Sequence, residues 1–170
     1  MLERRVLSID PLKCDGCRDC ETACSMRHAG KKRVTRPRIE VLGGDTGGRG
    51  FHVPSTCQQC VHPPCLQACP KDAIHHDADL ERVLIDETLC VGCKMCVSAC
   101  PSGAMSFDEE TGIAYKCDLC DGDPQCVRAC SRGAISFVGG FEMNYPRMVD
   151  LASKMRLSLK GRVGLERRGS

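Results

Sequence analysis

The sequence predicts an α+β fold of short strands and short helices, held together by bound metal more than by a large apolar interior. Three observations carry this. The 170 residues include no Trp, two Tyr and four Phe, too few large side chains for a sizeable carbon core. Sixteen cysteines, about 9% of the chain, fall into four groups of four between Cys14 and Cys130. Short β-branched runs flank these groups in a repeating order, so strand, cysteine loop, short helix and strand form the predicted unit.

The first strand, Val6-Leu7-Ser8-Ile9, ends at Asp10, four residues ahead of Cys14, and Val83-Leu84-Ile85-Asp86 repeats it ahead of Cys90. A second repeat follows the closing cysteines. Cys69-Pro70 leads to Ala73-Ile74, Cys100-Pro101 to Ala104 through Phe107, and Cys130 to Ala134 through Phe137. Group one (Cys14, Cys17, Cys20, Cys24) and group three (Cys90, Cys93, Cys96, Cys100) share the spacing C-x2-C-x2-C-x3-C. Group two (Cys57, Cys60, Cys65, Cys69) and group four (Cys117, Cys120, Cys126, Cys130) lengthen only the middle gap. The closing C-x3-C sets two sulfurs one helical turn apart, so one short helix can offer ligands towards two neighbouring centres. Pro70 and Pro101 then stop that helix.

Three chemistries use many cysteines. Disulfides suit a secreted, stapled domain, but Arg4 and Arg5 near the N-terminus are followed by no apolar run before Asp10, Pro11 and Lys13. No stretch of about 18 apolar residues offers a membrane span, and a reducing cytoplasm is the expected setting. Structural zinc joins two C-x2-C knuckles across a loop, which explains neither a third cysteine inside each loop nor a closing C-x3-C. The triple-plus-one spacing is that of bacterial [4Fe-4S] ferredoxins, where soft thiolates hold iron and each group's fourth cysteine crosses to the other cluster. Four [4Fe-4S] clusters are expected, with all sixteen cysteines as iron ligands. None is left to act as a catalytic thiol. The formal charge of +2 falls to about −6 once sixteen thiolates hold four clusters, so the basic residues compensate buried anions and do not mark a nucleic-acid site. His28, His52, His62, His75 and His76 have no ligand spacing and are expected to face solvent or pack.

Between Cys24 and Cys57 lies a 32-residue insertion, basic from Arg27 to Arg38, then a predicted β-hairpin of Ile39 to Leu42 and Phe51 to Val53. Its glycine-rich turn, Gly43 to Gly50, lacks the Lys and Ser or Thr of a phosphate loop. After Phe137, Met148, Leu151, Met155 and Leu159 share a helical face ending near Gly161, and Arg147 to Ser170 carries a net charge of +5. This arm is read as docking on a partner or another copy, or as folding back on its own domain.

With group two written out as Cys57-Gln58-Gln59-Cys60-Val61-His62-Pro63-Pro64-Cys65-Leu66-Gln67-Ala68-Cys69-Pro70, and Lys116-Cys117-Asp118-Leu119-Cys120 opening group four, the chain resembles the four-cluster ferredoxin-like subunits of molybdenum and tungsten oxidoreductases, hydrogenases and carbon monoxide dehydrogenases. The resemblance runs from about Val6 to Val138 and looks nearest to the subunit accompanying tungsten aldehyde oxidoreductases. It implies two dicluster ferredoxin-like domains, one nested in the other. The outer domain takes residues 1–24 and 111–140, the inner one 57–110, with the insertion at 25–56 and the arm at 141–170. It also implies ligand sets. Set A is Cys14, Cys17, Cys20 and Cys130; set B is Cys117, Cys120, Cys126 and Cys24; set C is Cys57, Cys60, Cys65 and Cys100; set D is Cys90, Cys93, Cys96 and Cys69. Spacing alone leaves sequential pairing open. Ser25 and Ser131 depart from the proline that follows the closing cysteine elsewhere.

The resemblance implies a subunit that is not itself an enzyme. It would relay single electrons between a catalytic oxidoreductase subunit and a second redox protein, such as a flavin or NAD subunit or a ferredoxin. A hydrogenase or carbon monoxide dehydrogenase subunit, a free-standing polyferredoxin and a zinc-stabilised interaction module are the alternatives. End-to-end association through the arm is a further expectation.

Overall fold

The computed structural model describes residues 4–29, 36–44 and 50–140. The expected arm at 141–170 and the tip of the glycine-rich turn lie outside these residues. The predicted unit occurs four times. β1 (Arg5–Ile9), the group one loop and α1 (Asp19–Ala29) lead to β2 (Ile39–Gly44). β3 (Phe51–Thr56), group two and α2 (Pro64–Gln67) lead to β4 (Ile74–Asp77). β5 (Arg82–Ile85), group three and α3 (Met95–Ala99) lead to β6 (Ser106–Asp108). β7 (Ile113–Tyr115), group four, a 3₁₀ turn (Leu119–Gly122) and α4 (Gln125–Ala129) lead to β8 (Ile135–Gly139).

The strands pair antiparallel in four ladders: β1 with β8, β2 with β3, β4 with β5 and β6 with β7. β2 and β3 form the expected hairpin, in the register Ile39↔Thr56 to Gly44↔Phe51. The β1–β8 ladder joins the two ends of the described chain, Arg5↔Gly139 to Ile9↔Ile135. The sequence repeat has a structural counterpart. Asp10 N–H donates to the Ala134 carbonyl at 2.8 Å, and Asp86 N–H donates to the Ala73 carbonyl at 2.7 Å. Each Asp stands four residues before an odd group, and each Ala four residues after the close of an even one.

Two small cores result. Leu7, Ile39, Val41, Leu119 and Ile135 pack with Cys20, Cys24, Cys117 and Cys126. Ile74, Val83, Met105 and Ala114 pack with Cys65 and Cys96. Cysteines therefore occupy core positions, where free thiols behave as small apolar groups until a metal takes them. A buried polar seam joins the two cores: Gln59 and Lys116 bond across it, and the Arg82 guanidinium donates to the Asp118 carbonyl at 2.7 Å.

The proline expectation needs a correction. α2 and α3 end before Pro70 and Pro101, yet α4 also ends, at Ala129, although Ser131 follows its closing cysteine. The Cys130 backbone is extended (φ −81°, ψ 90°), close to Cys100 (φ −76°, ψ 113°), and Gly133 takes the left-handed conformation of Gly103. Ser131 leaves the local geometry unchanged. Ser25 differs: α1 runs through it to Ala29, and Ser25 itself is fully buried. A proline there would remove a backbone donor and clash with the preceding turn.

Candidate metal centres

The group loops owe their shape to one recurrent backbone choice. The residue before the second cysteine is left-handed in every group: Gly16 (φ +79°), Gln59 (+47°), Gly92 (+70°) and Leu119 (+60°). That turn lets the sulfurs on either side face the same way. Glycine takes it freely, whereas Gln59 and Leu119 cost about 1 kcal/mol each and stay because both are buried. Group three favours glycine most strongly, since a Cβ on Gly92 would lie 2.5 Å from the Gly112 carbonyl oxygen and force that backbone to shift.

These turns bring the cysteines together across group boundaries. One cleft is lined by Cys90, Cys93 and Cys96 with Cys69. A second is lined by Cys57, Cys60 and Cys65 with Cys100. Around group four, Cys24 lies near enough to Cys120 and Cys126 for their charges to interact. Cys20 neighbours Cys14 and Cys17, while Cys14 and Cys130 both pack on the first core. Cys20 also neighbours Cys126, and Cys57 neighbours Cys117.

The surroundings fit thiolate-bound clusters. Backbone N–H groups point at sulfur: Arg38 to Cys24 at 3.1 Å, Ala134 to Cys130 at 3.2 Å, Gln59 to Cys57 and Leu119 to Cys117 at 3.4 Å. Burial disfavours the Cys100 thiolate, but the Ser102 hydroxyl and the N–H groups of Ser102, Ala104 and Met105 outweigh it and lower the pKa. Elsewhere burial dominates, pushing Cys20 and Cys117 up to about 12 and raising Cys126 as well. Such thiols ionise only when a cation replaces the proton, which iron in a sulfide cluster supplies. Burial also differs among the cysteines. Cys24, Cys117, Cys120 and Cys126 are all buried, whereas Cys17 and Cys93 are exposed.

His28 departs from the expectation of a merely solvent-facing or packing residue. The continuation of α1 past Ser25 brings His28 Nδ1 to 2.9 Å from the Cys24 carbonyl and Nε2 to 3.1 Å from Asp118. Arg38 donates to the same carboxylate at 2.7 Å, and Cys120 N–H at 2.9 Å. Burial opposes the charge on both partners. Asp118 and Cys24 nonetheless raise His28 to about 9, while His28, Cys120 N–H and Arg38 hold Asp118 well below the usual carboxylate range. His28, Asp118 and Cys120 could together offer three metal-ligand atoms, but Cys120 already belongs to the group four loop. His62, His75 and His76 are exposed and His52 is half-buried, as expected.

Residues 49–139, more than half of the chain, match a 4Fe-4S dicluster domain, and residues 13–74 match a second dicluster description. The chain belongs to the 4Fe-4S dicluster domain family. The two dicluster matches and the sixteen cysteines account for four [4Fe-4S] clusters. This dicluster protein is 38% identical over 112 residues to the NADH-dependent phenylglyoxylate dehydrogenase subunit beta of Aromatoleum evansii, covering 66% of this chain and 25% of that one. It is 40% identical over 117 residues to the polyferredoxin-like subunit of the aliphatic sulfonate oxidoreductase of Pyrococcus furiosus, covering 69% and 66%. Among solved structures, the active site complex BamBC of benzoyl coenzyme A reductase with zinc aligns at 26% identity and a TM-score of 0.45, covering 98% of this chain and 92% of that one. The chain thus spans from a quarter to just under two thirds of these two curated relatives. Among the described residues no helix is long and apolar enough to cross a membrane.

Three side chains that serve these centres carried no separate signal in the sequence. Gln59 and Leu119 look like ordinary loop residues, and Lys116 looks like a surface lysine until its 4% exposure is known.

Proposed function

We propose that this chain is the non-catalytic electron-transfer subunit of an oxidoreductase complex, with two nested dicluster domains carrying its four clusters in series. The outer domain takes residues 1–24 and 111–140 and the inner one 57–110, with sets A, B, C and D ligating as the family resemblance implies. One observation carries the reading. Each inner cleft is closed by the last cysteine of the other group, Cys100 with Cys57, Cys60 and Cys65, and Cys69 with Cys90, Cys93 and Cys96. Sequential pairing of groups one and two would require Cys69 beside group one instead.

Each cluster, when bound, holds or releases one electron. The chain's own residues supply sulfur ligands, N–H donors to sulfur and exclusion of water. The approaches of Cys20 to Cys126 and of Cys57 to Cys117 favour the order A, B, C, D. Exposed Cys17 and Cys93 then stand at the two ends, where a catalytic subunit and a second redox protein would exchange electrons.

The names of the two relatives favour a complex over a free polyferredoxin. The nicotinamide-dependent one suits an NAD or flavin subunit as the second partner. The catalytic partner proposed is of the tungsten aldehyde oxidoreductase type, in a reducing cytoplasm. Iron and sulfide analysis with low-temperature EPR is expected to give four cubanes per chain, and fewer would sink the four-centre relay. Native co-purification with a tungsten protein tests the partner, and recovery of the chain alone would overturn that part.

A further inference from the structure

Lys116 is 4% exposed, a rare state for lysine unless a carboxylate pairs with it. Among the described residues none does. Its Nζ donates to the Cys117 carbonyl at 2.9 Å and to the Val83 carbonyl. Gln59, itself 1% exposed, completes a ring with the same two residues: its Nε2 donates to the Cys117 carbonyl at 2.8 Å, and its Oε1 accepts Val83 N–H at 2.8 Å. The ring closes the seam between the two cores, and every carbonyl in it is neutral. The counter-charge for the ammonium must come from elsewhere, because an unpaired buried ion is strongly disfavoured.

Two sulfur sites lie beside it. Lys116 lines the cleft of Cys57, Cys60, Cys65 and Cys100, and it precedes Cys117 of the group four set. Its charge is felt at both Cys65 and Cys117. Lys94, which lines the cleft of Cys90, Cys93 and Cys96, is instead exposed and pairs with Glu109 at 2.7 Å. Solvent screens an exposed charge of that kind far more than a buried one.

We propose that Lys116 tunes the relay: its buried charge raises the potentials of the two middle centres, held by sets B and C, relative to the end centres of sets A and D. The sign follows from charge alone. Reduction adds one electron, drawn from the redox partner, to a site that is already anionic, and a fixed cation nearby favours the reduced form. The proposal rests on the ligand sets given under Proposed function.

The test is an anaerobic potentiometric titration of the full, cluster-loaded chain, read by low-temperature EPR, with iron counted in every sample. In Lys116→Met, two of the four midpoints are expected to fall. At fixed potential their reduced-to-oxidised ratio drops on the order of tenfold, the effect of a unit charge removed at roughly 12 Å in an effective dielectric of about 20, equivalent to about 59 mV for one electron. Lys116→Arg is expected to restore both midpoints. Four clusters with unmoved midpoints in Lys116→Met overturn the proposal, as does an equal fall in Lys116→Arg. If Lys116→Met does not load four clusters, Lys116→Gln is read instead. Loss of clusters in both neutral variants, with four retained in Lys116→Arg, makes the role one of assembly and also overturns it. A wild-type chain with fewer than four clusters overturns the ligand sets themselves, a failure separable from this one.

Discussion

The body built on the β1–β8 ladder and the body built on the β4–β5 ladder use nearly the same cysteine spacing but close over their sulfurs to different depths. In the first, α1 continues through buried Ser25 to Ala29, and His28, Asp118 and Arg38 form a charged cap beside the buried thiols of Cys24, Cys117, Cys120 and Cys126. In the second, α2 and α3 span four and five residues, Pro70 and Pro101 follow their closing cysteines, and neither sulfur cleft is lined by buried thiols alone. Cysteine spacing thus sets where sulfur can gather. Whether the helix runs on past its closing cysteine, as α1 does and α4 does not, sets how much chain then covers it.

The largest expected effect is loss of iron. With cysteines occupying core positions in both bodies, anaerobic chelation should remove most of a folding free energy of roughly 5–15 kcal/mol. The cooperative melt followed by circular dichroism should disappear. Clusters of the β4–β5 body, reached through exposed Cys93, should bleach before the buried set containing Cys126. An apoprotein that melts like the loaded one, or simultaneous bleaching of all clusters, would break the comparison.

Next comes the proline exchange. Ser25→Pro should cost about 3 kcal/mol or more, because it removes a donor and inserts a ring in the interior of α1. Ser131→Pro sits after an extended Cys130, a backbone that already suits the residue before a proline, and should change stability by no more than about 0.5 kcal/mol. Denaturant midpoints of the loaded variants check both. Equal losses would mean that the helix extension is not what distinguishes the two bodies.

These pairs mark where the sequence was legible. The four groups, the repeated unit, the β2–β3 hairpin and the stops before Pro70 and Pro101 follow from spacing, β-branched runs and local backbone chemistry, all of which act within a few residues. The two serines look alike in sequence, yet only one permits helix continuation. That depends on whether the following turn finds partners, here Asp118 and Arg38, which stand 93 and 13 residues away from Ser25. Left-handed Gln59 and Leu119 were hidden for a similar reason: their tertiary burial offsets a strain that local propensity would avoid. Lys116 was hidden because its surroundings are assembled from β5 and the group two loop, far from it along the chain.

Asp118 offers a smaller test of the charged cap. Asp118→Ala would leave Arg38 and His28 half-buried without their shared carboxylate and Cys120 N–H without its acceptor, for a loss of about 2–3 kcal/mol. Val91 follows the first cysteine of group three as Asp118 follows that of group four, and it is 61% exposed. Val91→Ala should therefore stay within about 0.5 kcal/mol. Thermal melts of the two loaded variants decide it, and a comparable loss at Val91 would show that the cap is not special to the β1–β8 body.

The finest distinction lies at equivalent glycines. Gly16 and Gly92 both precede a second cysteine with positive φ, so alanine at either pays about 1 kcal/mol in backbone strain. What the new methyl meets is different. At Gly16 it reaches the His52 ring at 2.7 Å, a half-buried side chain on β3 that can rotate away. At Gly92 it reaches the Gly112 carbonyl oxygen at 2.5 Å, which belongs to the tight turn between β6 and β7 and cannot move without shifting that ladder. Gly92→Ala should consequently cost about 1 kcal/mol more than Gly16→Ala, with a matching difference in denaturant midpoint. His52→Ala added to Gly16→Ala should recover part of the smaller loss. If the Gly16 variant proves the weaker of the two, the histidine ring is held as firmly as the backbone, and the insertion hairpin is a rigid wall of the group one loop.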